Sequence, residues 1–119
     1  MRRVLVVDDD VDLREALADL LREAGWEVVC AENGLEALLL LGGAPVDVIL
    51  LDYMMPVMNG REFRDAQLAR PDLAAIPVVL ASAALGRPEA GSLTPAAVLP
   101  KPFTPAALLS CLDGVALAR

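Results

Sequence analysis

The chain contains no histidine. It therefore carries no phosphohistidine, no imidazole zinc ligand and no imidazole general base. Cysteine is scarce as well, with only Cys30 and Cys111 present. They form no C-x-x-C pair, which argues against structural zinc. They also make no disulfide framework, which fits a cytoplasmic chain. Cys30 falls in an expected strand and Cys111 in an expected helix, so both read as buried free thiols. Long apolar runs are missing, and with them any transmembrane helix. The opening Met1-Arg2-Arg3-Val4 is charged but leads into no long apolar region or cleavage site, so no signal peptide is expected. Positive charge is in deficit: 10 Lys and Arg against 17 Asp and Glu give a formal net charge of −7. That balance argues against gripping a nucleic-acid backbone.

What remains is a core-forming chain. The 119 residues are 56% hydrophobic, enough for one domain, residues 1–119, and too few for two. The most informative stretch is Val46 to Gly60, V-D-V-I-L-L-D-Y-M-M-P-V-M-N-G. Val48 to Leu51 is an unbroken apolar run, the pattern of a strand buried on both faces. It ends in Asp52, and Met55-Pro56 and Asn59-Gly60 then turn the chain. Val4 to Val7 is a second such run and ends in Asp8-Asp9-Asp10. Val78 to Ala81 ends in Ser82. Val98-Leu99-Pro100 leads to Lys101-Pro102-Phe103. Parallel strands would bring the acids, the hydroxyl and the lysine to one edge, where open α/β sheets bind their ligands. Clustered carboxylates repel one another and need a cation. Hard oxygen ligands beside a lysine suggest Mg²⁺ and a phosphoryl group.

Taken in order, strands are expected at 3–7, 26–30, 47–51, 78–81 and about 97–100. Asp10 or a neighbour caps the first helix, with Leu13, Ala16, Leu17, Leu20, Leu21 and Ala24 at helical spacing. Asp12, Glu15, Asp19, Arg22 and Glu23 fill its other face, and Gly25 stops it. Asn33 caps the second helix in a capping-box-like pattern with Glu36. Leu35 and Leu38 to Leu41 follow, and Leu and Val stripes read as core. A third helix is expected from about Arg61 to Ala69, with Phe63 and Leu68 inward. Gly and Pro interrupt residues 83–97, so a helix there is expected to be very short or missing. Thr104 and Pro105 start the last helix, with Leu108, Leu109, Leu112 and Val115 inward. Strand and helix alternate, which predicts a doubly wound, five-stranded parallel α/β sheet. The flavodoxin-like order 2-1-3-4-5 places strands one and three side by side at the switch point.

V-V-D-D, L-L-D-Y-M-M-P-V-M-N-G, A-S-A and K-P-F, in that order, resemble the response-regulator receiver domain of two-component phosphorelay signalling. The resemblance covers nearly the whole chain. It implies that Asp52 is the phosphorylated nucleophile, a carboxylate whose oxygen attacks phosphorus to give an acyl phosphate. It implies Mg²⁺ held by Asp9, by Asp8 mostly through water, by Asp52 and by the backbone carbonyl of Met54. Lys101 and Ser82 would bind phosphoryl oxygens, and Ala83 would leave them room. The Lys101–Pro102 bond would be cis. A histidine kinase or phosphotransfer protein would supply the phosphoryl group, docking beside the start of helix one. A downstream protein would read the result. The domain would catalyse only its own phosphorylation and dephosphorylation. Met54 and Ala84, which border the path of a hydrolytic water in the family, carry no group to hold that water, so slow hydrolysis is expected.

Plainer readings stand beside these. Asp8, Asp10 and Asp12 spell D-x-D-x-D, like an EF-hand loop, but Leu13 stands where its glycine must be, which rejects calcium. A phosphatase of the haloacid dehalogenase type also uses an Asp nucleophile, but its second acid would fall at Met54, and no cap domain fits this length. A third reading is a receiver-like scaffold that acts by protein binding without a phosphorylation-driven switch. Val98 favours it, because the family places a mobile aromatic ring there. So does the span from Ser82 to Lys101, which is shorter than the family's.

Overall fold

The computed structural model describes residues 2–43, 45–52, 57–82 and 95–117. Among them, β1 (Arg3–Val7), β2 (Glu27–Ala31), β3 (Val48–Asp52), β4 (Val78–Ser82) and β5 (Ala97–Pro100) form one sheet. Its order is β2-β1-β3-β4-β5, and every pairing is parallel. The helices are α1 (Val11–Glu23), α2 (Gly34–Leu41), α3 (Gly60–Leu68) and α4 (Pro105–Leu117). The fold is therefore the doubly wound, flavodoxin-like one that alternating strands and helices imply.

Strand alternation divides the core in two. Leu5, Val7, Ile49, Leu51, Val78 and Leu80 point to one face and pack with Ala37 and Leu41 of α2 and Phe63 of α3. Val4, Val6, Val48, Leu50, Val79, Ala81 and Leu99 point to the other, against Leu17 and Leu21 of α1 and Leu108 and Leu112 of α4. Both faces of the central strands are dry, which is why their sequences are unbroken apolar runs rather than alternating ones. Each fully buried Leu or Val there contributes about 1.5 to 3 kcal/mol relative to exposure.

Local chemistry sets the helix ends. The Asp10 carboxylate accepts from the Leu13 N–H at 3.1 Å and caps α1. Gly25, at φ 97°, turns the chain out of α1 in a conformation that side chains resist. Asn33 caps α2 through the Glu36 N–H at 2.9 Å. Glu36 reaches back to the Glu32 N–H at 3.3 Å rather than to Asn33, so the expected box is incomplete. The complete capping box is in α3, where Asn59 and Glu62 satisfy each other's backbone N–H groups. Thr104 caps the last helix through the Ala107 N–H at 3.1 Å.

Several expectations need correction. Leu68 is 47% exposed rather than inward, and the buried face of α3 is Phe63, Arg64 and Gln67. Five residues separate Phe63 from Leu68, about 140° around a helix, whereas Gln67 lies about 40° from Phe63. Leu35 and Leu39 are exposed too, so the leucines of α2 are not all core. A continuous leucine run cannot face one way at 100° per residue. Ala16 of α1 and Ala24, which caps its C-terminus, are likewise exposed, and Ala18 is buried in their stead. Trp26 precedes β2 instead of opening it and is buried in the core on the α1/α4 side, with the Arg2 guanidinium over its ring at 4.5 Å. Cys30 and Cys111 are free, as expected, but half-buried rather than buried. Burial pushes both thiols up in pKa, in Cys30 against a smaller opposing pull from Arg22 and Arg14, so both stay protonated near neutrality. The expected short or missing helix after Ser82 falls on residues 83–94, outside the described residues.

Candidate functional site

The strand register builds the site. Val7 is level with Leu51, so Asp8 and Asp52 leave neighbouring strands side by side. Ser82 is level with Pro100, which puts Lys101 one step beyond the sheet edge. The pleat then aims the side chains. Val4 and Val6 point to the α1/α4 face, so Asp8 does too; Val48 and Leu50 carry Asp52 that way, and Leu99 carries Lys101.

The result is a compact charged cluster. The Lys101 Nζ lies 3.2 Å from Asp52 Oδ1 and 3.6 Å from Asp8 Oδ2. Asp8 and Asp52 are buried, and Asp9 is exposed. Asp8, Asp9 and Asp52 each offer a carboxylate oxygen within 4.8 Å of the others. An octahedral Mg²⁺ with oxygens at about 2.1 Å spaces its ligands about 3 to 4 Å apart. The donor set fits such an ion in chemistry, and its oxygens, within 4.8 Å of one another, lie close to that spacing. One wall is a cavity of about 340 Å³ lined by Leu13, Lys101, Pro102 and Phe103, open beside the lysine.

The acidic loop is braced from several sides. The Asp8 N–H donates to the Ala31 carbonyl at 3.1 Å, and Asp8 Oδ1 accepts from the Asp10 N–H at 2.9 Å. The Arg14 guanidinium donates to the Asp8 backbone carbonyl at 2.7 Å. The Lys101–Pro102 peptide bond is cis, as the resemblance implied. Met54, Ala83 and Ala84 lie outside the described residues, as does the side chain of Ser82; its backbone ends β4. Arg14 was absent from the sequence reading, although its place one turn into α1 was a signal, since helical side chains lean toward the N-terminus.

Past Asp52, the chain returns to α3 through Val57, whose φ is 67°. A β-branched residue in the left-handed region is strained, by about 1 to 2 kcal/mol. Val57 is 74% exposed and so gains little from burial. Met58 next to it packs on the start of α2, where a Cβ on Gly34 would come within 2.8 Å of its Cγ. Val57→Asn is expected to stabilise the protein by about 1 kcal/mol, because asparagine tolerates this conformation. A thermal unfolding midpoint unchanged or lowered in the variant would contradict the strain.

Fold and site together define a flavodoxin-like α/β domain with an acid and lysine cleft at its switch point. The chain belongs to the response regulator receiver domain family, whose model it matches over residues 4–113. It is 44% identical over 106 residues to a response regulator receiver protein of Anaeromyxobacter sp. (strain Fw109-5), a match covering 86% of this chain and 43% of that protein. It is 36% identical over 104 residues to the response regulator receiver protein CpdR of Brucella abortus, covering 87% of each. Among solved structures, the chemotaxis protein CheY4 of Vibrio cholerae superposes with a TM-score of 0.89 at 35% identity, covering 97% of this chain and 98% of that one. The chain thus spans less than half the length of the Anaeromyxobacter relative.

Proposed function

We propose that this domain is a phosphoacceptor, taking a phosphoryl group from the phosphohistidine of a histidine kinase or phosphotransfer protein onto Asp52. The observation that carries the reading is the convergence at the carboxyl edge of the sheet of Asp8, Asp9 and Asp52, with carboxylate oxygens within 4.8 Å of one another, and of Lys101 against Asp8 and Asp52. An Asp52 carboxylate oxygen attacks phosphorus. The phosphorus–nitrogen bond of the donor breaks, and its electron pair leaves with the donor imidazole. Two anions must meet in this step, so charge neutralisation is the main task. Lys101 supplies one cation, placed to leave Asp52 for a phosphoryl oxygen. Asp8, Asp9, Asp52 and the Met54 carbonyl would hold Mg²⁺, which when bound offsets the charge of both reacting groups. The Ser82 hydroxyl would donate to a further phosphoryl oxygen, beside the small Ala83.

The domain then acts as a cytoplasmic signalling part rather than an enzyme, catalysing only its own phosphorylation and dephosphorylation. Among the described residues, no helix is long and apolar enough to cross a membrane. The apolar groove of Leu13 and Phe103 beside Lys101, with Asp12 and Glu15 exposed on α1, suits a docked phosphodonor protein. A changed partner-binding face would pass the signal to a downstream protein. The scaffold reading draws on Val98, which is 44% exposed on β5 and has no ring to rotate.

Thermal unfolding separates the two. Mg²⁺ that binds only the folded chain stabilises it by about 2.7 kcal/mol at about a hundredfold excess over its Kd. Beryllofluoride, which mimics the phosphoryl group, is expected to raise the midpoint further, and only when Mg²⁺ is present. A midpoint indifferent to both would favour the scaffold.

A further inference from the structure

We infer that Arg14 is a positioning residue for the metal site, orienting the Asp8–Asp9 peptide from which two of the carboxylates project. The inference rests on the proposed Mg²⁺ site. Arg14 stands one turn into α1, and its guanidinium leans back to donate to the Asp8 carbonyl at 2.7 Å. That carbonyl belongs to the peptide whose N–H is Asp9's. The two N–H bonds of the loop, Asp8 to Ala31 and Asp10 to the Asp8 carboxylate, fix the peptides before and after it. Arg14 supplies the bond that fixes the peptide between. Asp9 is exposed, so burial does little to set its direction. With the peptide plane held, the Asp9 oxygen stays within 4.8 Å of those of Asp8 and Asp52. Without it, the plane can rotate and the site must be ordered at the moment of binding.

Charge and position make opposite demands on Arg14, and this makes the role testable. A guanidinium near a cation site repels the cation. If Arg14 acted by charge, removing it would tighten Mg²⁺ binding. If it acts by holding the peptide, removing it weakens binding.

The test is Mg²⁺ affinity by titration calorimetry, with no phosphodonor present, in the unaltered chain and in Arg14→Gln, Arg14→Lys and Arg22→Gln. Outer-shell partners of metal ligands are typically worth tenfold or more in affinity. Arg14→Gln is expected to weaken binding about tenfold. Arg14→Lys keeps one donor and is expected to recover most of the loss. Arg22→Gln, on the exposed surface of the same helix, removes the same charge and is expected to leave affinity within about twofold, since its charge is screened by solvent. Amide exchange at Asp9 in the metal-free chain is expected to quicken in Arg14→Gln and not in Arg22→Gln. If the glutamine variant does not fold, Arg14→Met keeps the stem packing and takes its place. Unchanged or tighter binding in Arg14→Gln, with the unaltered chain binding normally, overturns the positioning role alone. No binding by the unaltered chain overturns the Mg²⁺ site and this role with it.

Discussion

Asp52→Asn is expected to abolish phosphoryl uptake. The substitution keeps the size and shape of the side chain but removes the anionic oxygen that attacks phosphorus. Among the described residues, no other carboxylate is placed to replace it. Asp8 is buried one strand over, with one oxygen taken by the Asp10 N–H and the other facing Lys101 at 3.6 Å. Asp9 is exposed and would be engaged with the metal. The amide also removes one charge from the acid cluster, so Lys101 keeps Asp8 as its acidic partner and the fold is expected to hold. Uptake from a small phosphodonor such as acetyl phosphate, followed by intact mass, measures this. Full labelling of Asp52→Asn would place the nucleophile elsewhere.

The second large effect concerns stability and lies away from the acids. Gln67 is fully buried on α3. Its amide nitrogen donates to the Leu73 carbonyl at 2.9 Å and to the Ile76 carbonyl at 3.0 Å. Its amide oxygen accepts from the Arg64 guanidinium at 2.7 Å. Arg64 is itself buried, and that burial lowers its pKa. One side chain thus ties α3 to the connection that feeds β4, the strand that ends at Ser82. Gln67→Leu has similar volume and no polar atom. It would leave the Ile76 carbonyl without its amide partner, and it would take one bond each from the Leu73 carbonyl, which keeps the Ile76 N–H at 3.1 Å, and from the buried Arg64 guanidinium. An unsatisfied buried group costs about 1 to 3 kcal/mol, and a charged one more. A loss of about 3 kcal/mol is expected, read as a lower urea midpoint with an unchanged slope. A loss below about 1 kcal/mol would mean that water replaces the amide.

The same residues show where sequence reading works. The acids and Lys101 were legible because parallel strands buried on both faces appear as unbroken apolar runs. The residue after each run stands at the carboxyl edge. Period-two alternation then carries Asp8, Asp52 and Lys101 to one face without further information. The fold followed from the same alternation of runs and helical spacing. Helix α3 was read wrongly for a related reason. Its inward face holds Arg64 and Gln67, whose polar atoms bond to each other and, from Gln67, to the backbone carbonyls of Leu73 and Ile76, none of which hydropathy displays. Hydropathy alone therefore gave Leu68 the inward place. In α2, the exposure of Leu39 is not legible because a leucine run carries no facing information. The bond of Arg14 goes to a backbone carbonyl, so its place one turn into α1 is the one sequence signal that points to it. Met54, Ala83 and the hydroxyl of Ser82 rest on family resemblance.

The central claim is that Asp52 accepts a phosphoryl group with the help of Mg²⁺. Its most direct test is the intact mass of the unaltered chain after incubation with acetyl phosphate, with Mg²⁺ and with Mg²⁺ chelated, followed by peptide mapping of the modified residue. The expected result is a gain of one phosphoryl group, located on Asp52, with Mg²⁺ and none without it. An unchanged mass in the presence of Mg²⁺, or a phosphoryl group mapped to any other residue, would contradict it.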